Sequence, residues 1–101
     1  MARKLPSFDK SLSVKAATLA DLGKIVRNQR AHLGLRIDDT AGFSAVGASV
    51  LSRLENGKPI TTDKLLAILD SLGLLIAVLP KRKFIEVQPM LEADTDTQAT
   101  A

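Results

Sequence analysis

Few residues in this 101-residue chain can do chemistry, and their types decide what it can be. His32 is the only histidine and cysteine is absent, so neither a Cys/His nucleophile system nor a zinc cage can be assembled. Asp38 and Asp39 are adjacent, which suits the first turn of a helix, where the dipole favours anions, better than a metal-binding carboxylate pair. No glycine loop that could cradle a phosphate is present, and the six glycines read as helix ends and turns. With three Phe and no Trp or Tyr, there is no aromatic platform for stacking unpaired bases. What remains is "VGASVLSRLENGK", residues 46–58, a short helix with one long donor, Arg53, among small outward residues, Gly47, Ala48, Ser49 and Ser52. An arginine can pair in bidentate fashion with guanine, an alanine can touch a thymine methyl, and a serine can bond a base or a phosphate. An enzyme, a metal and a cofactor are not expected.

The elements that must position this helix follow from caps and periodicity. Residues 1–13 mix charges, Pro6 and serines without a period and are read as a mobile arm, ending in a short extended piece at Ser13 to Ala17. Thr18 can cap a first helix, with Asp21 in its first turn, Leu19, Leu22, Val26 and Leu33 on one face, and Gly34 at its end. Lys24, Arg27 and Arg30 then form a basic face turned away from that stripe. "LRIDDTAGF" predicts a second helix ending at Gly42, and "SAVGASVLSRLENG" a third that stops at Gly57, with Val46, Val50, Leu51 and Leu54 inward. Two short helices separated by about four residues have helix-turn-helix geometry. "TTDKLLAILDSLG" is a fourth helix, with Leu65, Ile68, Leu69 and Leu72 as its stripe and Gly73 as its stop. The run Leu74, Leu75, Ile76, Ala77, Val78, Leu79 has strand length and ends at Pro80. A lone strand among helices has no partner within the chain, so a second copy is the simplest one. From Gln88 the chain is small, polar and acidic, and residues 88–101 are expected to be disordered.

The net charge of +3 conceals an asymmetry. All 14 Lys and Arg lie in residues 1–83 against seven acids, a balance of +7, whereas residues 84–101 carry only Glu86, Glu92, Asp94 and Asp96, or −4. A basic body with an acidic tail fits a polyanion-binding domain that carries a separate interaction segment. One domain of this length, 46% apolar, without cysteine, signal sequence or a span-length apolar run, is expected to be soluble and cytoplasmic.

The stretch "LGKIVRNQRAHLGLRIDDTAGFSAVGASVLSRLENGK", residues 22–58, resembles the Cro/repressor-type helix-turn-helix domain known as the xenobiotic-response-element (XRE) family. The match runs without a gap through "R-x-x-L-G-L", Val46 and the terminal "S-R-L-E-N-G-K". The following "TTDKLLAILDSLGLLIAVLP" is similar to the HipB-like antitoxin branch, in which four or five helices precede one strand that pairs across a homodimer. The resemblance implies a mainly α, lambda-repressor-like bundle over residues 14–87, closed by a dimerisation strand from Leu74 to Leu79. It also implies a partly buried ion pair between Arg30 and Glu55, so that Arg30 is structural. This chain departs from the family pattern at Ile37, Thr40 and Ala45, where glutamine, leucine and glycine are usual, and at Gly47 and Ala48, where long base-reading side chains are common.

The function so implied is a sequence-specific, double-stranded-DNA-binding repressor, nucleoid-associated, that reads an inverted repeat as a homodimer. It would regulate its own operon and act as the antitoxin of a HipA-like serine/threonine kinase. Arg53 is expected to read a base, with Gly47, Ala48, Ser49 and Ser52 completing the outward face. Arg27, Arg36, Asn56 and Lys58 are expected to touch phosphates. Three alternatives stay open: Arg53 contacts only phosphate, the repressor has no toxin, or the fold is a protein-interaction module with nonspecific DNA affinity.

Overall fold

A computed structural model describes residues 7–100 and shows five helices in chain order. These are α1 (Leu19–His32), α2 (Ile37–Ser44), α3 (Ala48–Glu55), α4 (Thr62–Ser71) and α5 (Lys81–Thr100). Residues 1–6, including Arg3 and Lys4, lie outside the described residues.

Local chemistry explains where the first four begin and end. Thr18 caps α1 by accepting a hydrogen bond from the Asp21 N–H at 3.1 Å, while the Asp21 carboxylate accepts from the Ala17 N–H. At α2 the Asp39 carboxylate accepts from the Arg36 N–H at 3.1 Å, so one of the two adjacent acids serves the helix start. The Thr61 hydroxyl, and after it the Lys64 N–H, hold the Asp63 carboxyl below its usual range at the start of α4. Gly57 ends α3 at φ 74°, a conformation that an L side chain resists.

The core lies between these four helices. Val26, Val46, Leu51, Leu54, Ile68, Leu69 and Leu72 are buried, with α1 packed on α3 and α2 packed on both α3 and α4. Each such side chain contributes about 1.5–3 kcal/mol relative to an exposed one. Leu19 and Leu33, expected on the core face of α1, are each 45% exposed. Their place in that face is taken by Gly23 and Arg30.

Gly23 is where α1 comes nearest to α3. A Cβ there would fall on the Leu54 carbonyl oxygen and within 2.9 Å of the Glu55 carbonyl oxygen, so the two backbones touch. Gly57 makes a second close approach, since a Cβ on it would stand 3.0 Å from the Ala20 Cα. A residue in mid-helix is thus glycine for tertiary reasons, and the expectation that every glycine marks an end or a turn is corrected here.

The turn between α2 and α3 also differs from expectation. α2 does not stop at Gly42 but continues to Ser44, and Ala45 makes the turn in the left-handed region at φ 58°. Thr40, in place of a core leucine, is fully buried with its hydroxyl donating to the Arg36 carbonyl at 3.2 Å. Its polar atom is therefore satisfied inside the core.

Both termini depart from the sequence reading. Residues 7–13 are not a free arm: the Asp9 N–H donates to Asn28 Oδ1, Asn28 Nδ2 donates to the Asp9 carbonyl, and the Phe8 ring packs against His32, tilted by 42° with centroids 4.5 Å apart. The expected strand at residues 74–79 is not formed, and the described residues contain no strand. A strand requires a ladder partner, and the described residues supply none. Residues 88–100, expected to be disordered, continue α5. Gln88, Met90, Leu91, Glu92 and Ala93 are good helix formers, and polarity alone does not prevent a helix. Pro89 sits inside α5, and the Glu92 carboxylate anchors the helix to the N-terminal segment, accepting from the Ser13 hydroxyl at 2.8 Å and the Val14 N–H at 3.3 Å. The Ser13 hydroxyl foremost, then the Gln88 amide and the Val14 N–H, hold the Glu92 carboxyl below its usual range.

Two substitutions test this account by urea unfolding. Gly23→Ala should cost about 3 kcal/mol or more, because backbone atoms must move to admit the methyl; a loss under about 0.5 kcal/mol would refute the backbone contact. Ala45→Gly should add about 1 kcal/mol by relieving the left-handed alanine. Lower stability in that variant would refute the turn geometry.

Candidate nucleic-acid interface

The candidate site is the outward surface of α3 with the turns on either side of it. Gly47 is the N-cap of α3, in extended conformation, and its carbonyl accepts from the Val50 N–H at 3.1 Å and the Leu51 N–H at 3.2 Å. Gly47 and Ser49 are exposed, Ala48 and Ser52 half-buried, and Val46, Leu51 and Leu54 buried. The helix therefore buries one side and presents Gly47, Ala48, Ser49, Ser52 and Arg53 along the other.

Arg53 is exposed near the C-terminal end of α3, and its guanidinium is not free to wander. Nη2 donates to the Pro59 carbonyl at 3.1 Å, which leaves its second hydrogen and those of Nη1 and Nε for a ligand. Asn56 is engaged as well, Nδ2 donating to the Ser52 carbonyl at 2.8 Å and reaching the Ser52 hydroxyl at 3.4 Å. Sequence reasoning missed both contacts. Pro59 carries a signal only for stopping the helix, and its carbonyl becomes an acceptor for Arg53 through the path of the turn.

The remaining expected residues lie outside α3. Arg27 is exposed on α1, Arg36 is exposed at the N-cap of α2, and Lys58 is exposed just after Gly57. Lys58 is fixed through its backbone, its N–H donating to the Arg53 carbonyl at 2.9 Å. Leu74, Leu75, Ile76, Ala77, Val78 and Leu79 are not part of this surface; they form the irregular chain between α4 and α5.

Arg30 belongs to the scaffold. Only 5% exposed, it donates from Nε and Nη2 to the two Glu55 carboxylate oxygens, each at 2.7 Å, and from Nη1 to the Leu35 carbonyl at 3.0 Å. The structure thus brings Arg30 and Glu55 together and removes Arg30 from the outward basic face that periodicity had assigned it. A buried bidentate pair of this kind fixes the end of α3 against α1.

Comparison with known proteins supplies the family. The chain is 38% identical over 69 residues to the uncharacterized HTH-type transcriptional regulator y4mF of Sinorhizobium fredii, a match spanning 67% of this chain and 91% of that protein. Its fold is similar to that in the crystal structure of a point mutant of the restriction-modification controller protein C.Esp1396I, with a TM-score of 0.53, 19% identity, and coverage of 76% of this chain and 92% of that one. No family model matches the sequence. Among the described residues no helix is long and apolar enough to cross a membrane. By its likeness to the regulator over nearly all of that protein's length, the chain belongs to the HTH-type transcriptional regulators.

Proposed function

We propose that this regulator is a sequence-specific DNA-binding repressor that acts as a homodimer. The observation that carries the reading is the outward face of α3: a short helix with small residues at its N-terminal end, preceded by a tight turn and braced from behind by α1 and α2. Such a helix can enter a major groove, where residues near its N-terminus meet base edges. Arg53, with one Nη2 hydrogen held by the Pro59 carbonyl, keeps one two-donor edge built on the other Nη2 hydrogen for guanine. Arg27, Arg36, Asn56 and Lys58 supply the phosphate contacts.

Dimerisation is supported by residues 74–79. Leu75 is 93% exposed and Val78 90% exposed, and Ile76 and Leu79 are open as well, on a segment whose backbone has no ladder partner. Pairing with the same segment of a second copy would cover these side chains and satisfy those groups. It would also set two α3 helices about one DNA turn, roughly 34 Å, apart to read an inverted repeat.

The finer reading is an antitoxin that neutralises a HipA-like serine/threonine kinase while repressing their shared operon. It is supported by the resemblance of residues 61–80 to the HipB-like branch. Mixing the chain with the kinase-like product of a neighbouring reading frame tests it directly. Kinase activity that is unaffected by excess chain would rule it out.

DNA binding is tested with the duplex from the gene's own upstream region and a scrambled control across a salt series. Specific binding should exceed the control by about a thousandfold. Arg53→Ala should weaken specific binding by about 1–3 kcal/mol, whereas Arg27→Ala should weaken both duplexes alike and lower the salt slope by about one. If Arg53→Ala reduces both duplexes equally, Arg53 is a phosphate contact and the base-reading assignment fails.

The interface is tested separately by sedimentation equilibrium. Val78→Asp should raise the dimer dissociation constant about tenfold or more, because a buried carboxylate without a partner costs at least about 1.4 kcal/mol. A dimer of unchanged strength would place the interface elsewhere.

A further inference from the structure

The N-terminal segment and α5, which the DNA-binding reading leaves without a task, hold one another. The helices α1 to α4 pack on each other, whereas none of them packs broadly on α5. Among the described residues, the polar contacts of α5 with the rest of the chain run to Ser13 and Val14, through the Glu92 carboxylate and the Gln88 amide. The same segment is clamped at its other end to α1. There the Asn28 side-chain amide engages both backbone groups of one residue, accepting from the Asp9 N–H at 2.6 Å and donating to the Asp9 carbonyl at 2.9 Å, and the Phe8 ring rests against His32. Two-point capture of a backbone fixes its position and direction together, as pairing in a ladder does.

Between these anchors the Asp9 carboxylate accepts from the Ser11 N–H and hydroxyl, which stiffens the turn. A cavity of about 270 Å³ remains between the segment and α1, with Leu12, Ile25, Gln29, His32 and Leu74 in its walls. The segment is therefore held by its two anchors more than by packing along its length, and loss of either anchor frees it.

What it controls follows from what α5 is joined to. Residues 74–80 run without a turn or bend. Their upstream end is fixed to the body: Gln29 Nε2 donates to the Leu72 carbonyl at 2.9 Å, the Leu74 N–H donates to the Leu69 carbonyl at 2.8 Å, and Leu74 packs against the core. Their downstream end passes directly into α5, where the Phe84 N–H donates to the Pro80 carbonyl at 3.0 Å. The position of that end is thus the position of α5.

Resting on the dimer reading above, we infer that residues 8–14 are a strap that holds α5 and thereby keeps residues 74–79 drawn out for pairing with a second copy. A segment fixed at both ends is ordered before its partner arrives, whereas one fixed only at Leu74 must lose its freedom on pairing. The strap couples the N-terminal part of the chain to assembly, and whatever displaces it weakens the dimer.

The strap is tested from both ends in the full-length chain by sedimentation equilibrium. Asn28→Ala removes the clamp on α1, and Glu92→Ala removes the hold on α5. Each should raise the dimer dissociation constant about tenfold or more, because one freed backbone residue in each protomer suffices for that. The double variant should be no weaker than the weaker single one, since a strap cut at one end is already open. In dilute, monomeric chain the amides of residues 85–92 should exchange faster in both variants, while the urea midpoint stays unchanged.

Full-strength dimers in both single variants, losses that add in the double variant, or unchanged exchange in α5 would each overturn the strap. A lowered urea midpoint would mean that the two side chains brace the body instead, and overturns it too. These results leave the dimer reading standing as long as Val78→Asp weakens the dimer. If Val78→Asp leaves the dimer intact, the dimer reading itself fails, and with it the role of the strap in pairing.

Discussion

The position of α3 depends on Arg30. Three of its N–H groups are committed, two to the Glu55 carboxylate and one to the Leu35 carbonyl, so a single side chain joins α1, the end of α3 and the loop leading into α2. Burying a guanidinium costs several kcal/mol unless its donors and charge are matched, and here both are. Glu55 is the last residue of α3, where the helix dipole disfavours a carboxylate, so the pair also relieves a local conflict. Gly23 fixes the distance between α1 and α3, and Arg30 fixes how they are aligned. The outward face of α3 is aimed by these two residues, neither of which belongs to it.

Much of this was legible in the sequence where the signal is local. Thr18 announces the start of α1, Gly57 and Gly73 the ends of α3 and α4, and the apolar spacing of Leu65, Ile68, Leu69 and Leu72 the buried side of α4. Where the determinant is tertiary, local reading failed. Gly23 looks like a weak point in a helix until the α3 carbonyls appear beside it, and Arg30 looks like solvent-facing charge until its three acceptors do. The resemblance implied the Arg30–Glu55 pair where periodicity could not, because periodicity sorts residues by hydropathy and an arginine with every donor satisfied behaves as a core residue. Ala45 was unreadable for a different reason: the left-handed turn lies one residue outside a helix that was expected to stop three residues earlier, at Gly42.

The chain beyond α4 shows how apolar sequence and monomeric structure can disagree. Residues 74–79 have the composition of a buried strand, yet Leu75 and Val78 are almost fully exposed. Among the described residues nothing pairs with them, since the helices have satisfied their own backbones. α5 begins with Lys81, Arg82 and Lys83, three cations where the dipole favours anions, and the exposed Lys83–Glu86 pair at 3.6 Å offsets little of this. Its described polar contacts with the body run instead through Gln88 and Glu92 to Ser13 and Val14. Because those contacts are exposed, the hold on α5 is weaker than the hold on α3, and the C-terminal third of the chain is the part best able to rearrange around a partner.

The composition of the reading face makes that partner necessary on the proposed function. One bidentate arginine gives about 1–3 kcal/mol of discrimination. Specific operators are distinguished from random DNA by about 4–10 kcal/mol. One copy of α3 falls short of that range, whereas two copies on an inverted repeat double the contribution and reach its lower part. On that function a helix with so few readers calls for a dimer, and the exposed apolar residues from Leu75 to Leu79 offer a surface on which one could form. The small residues of α3 and the uncovered segment after α4 are two halves of one constraint, since weak readout by each protomer is workable only where the protomers are held together.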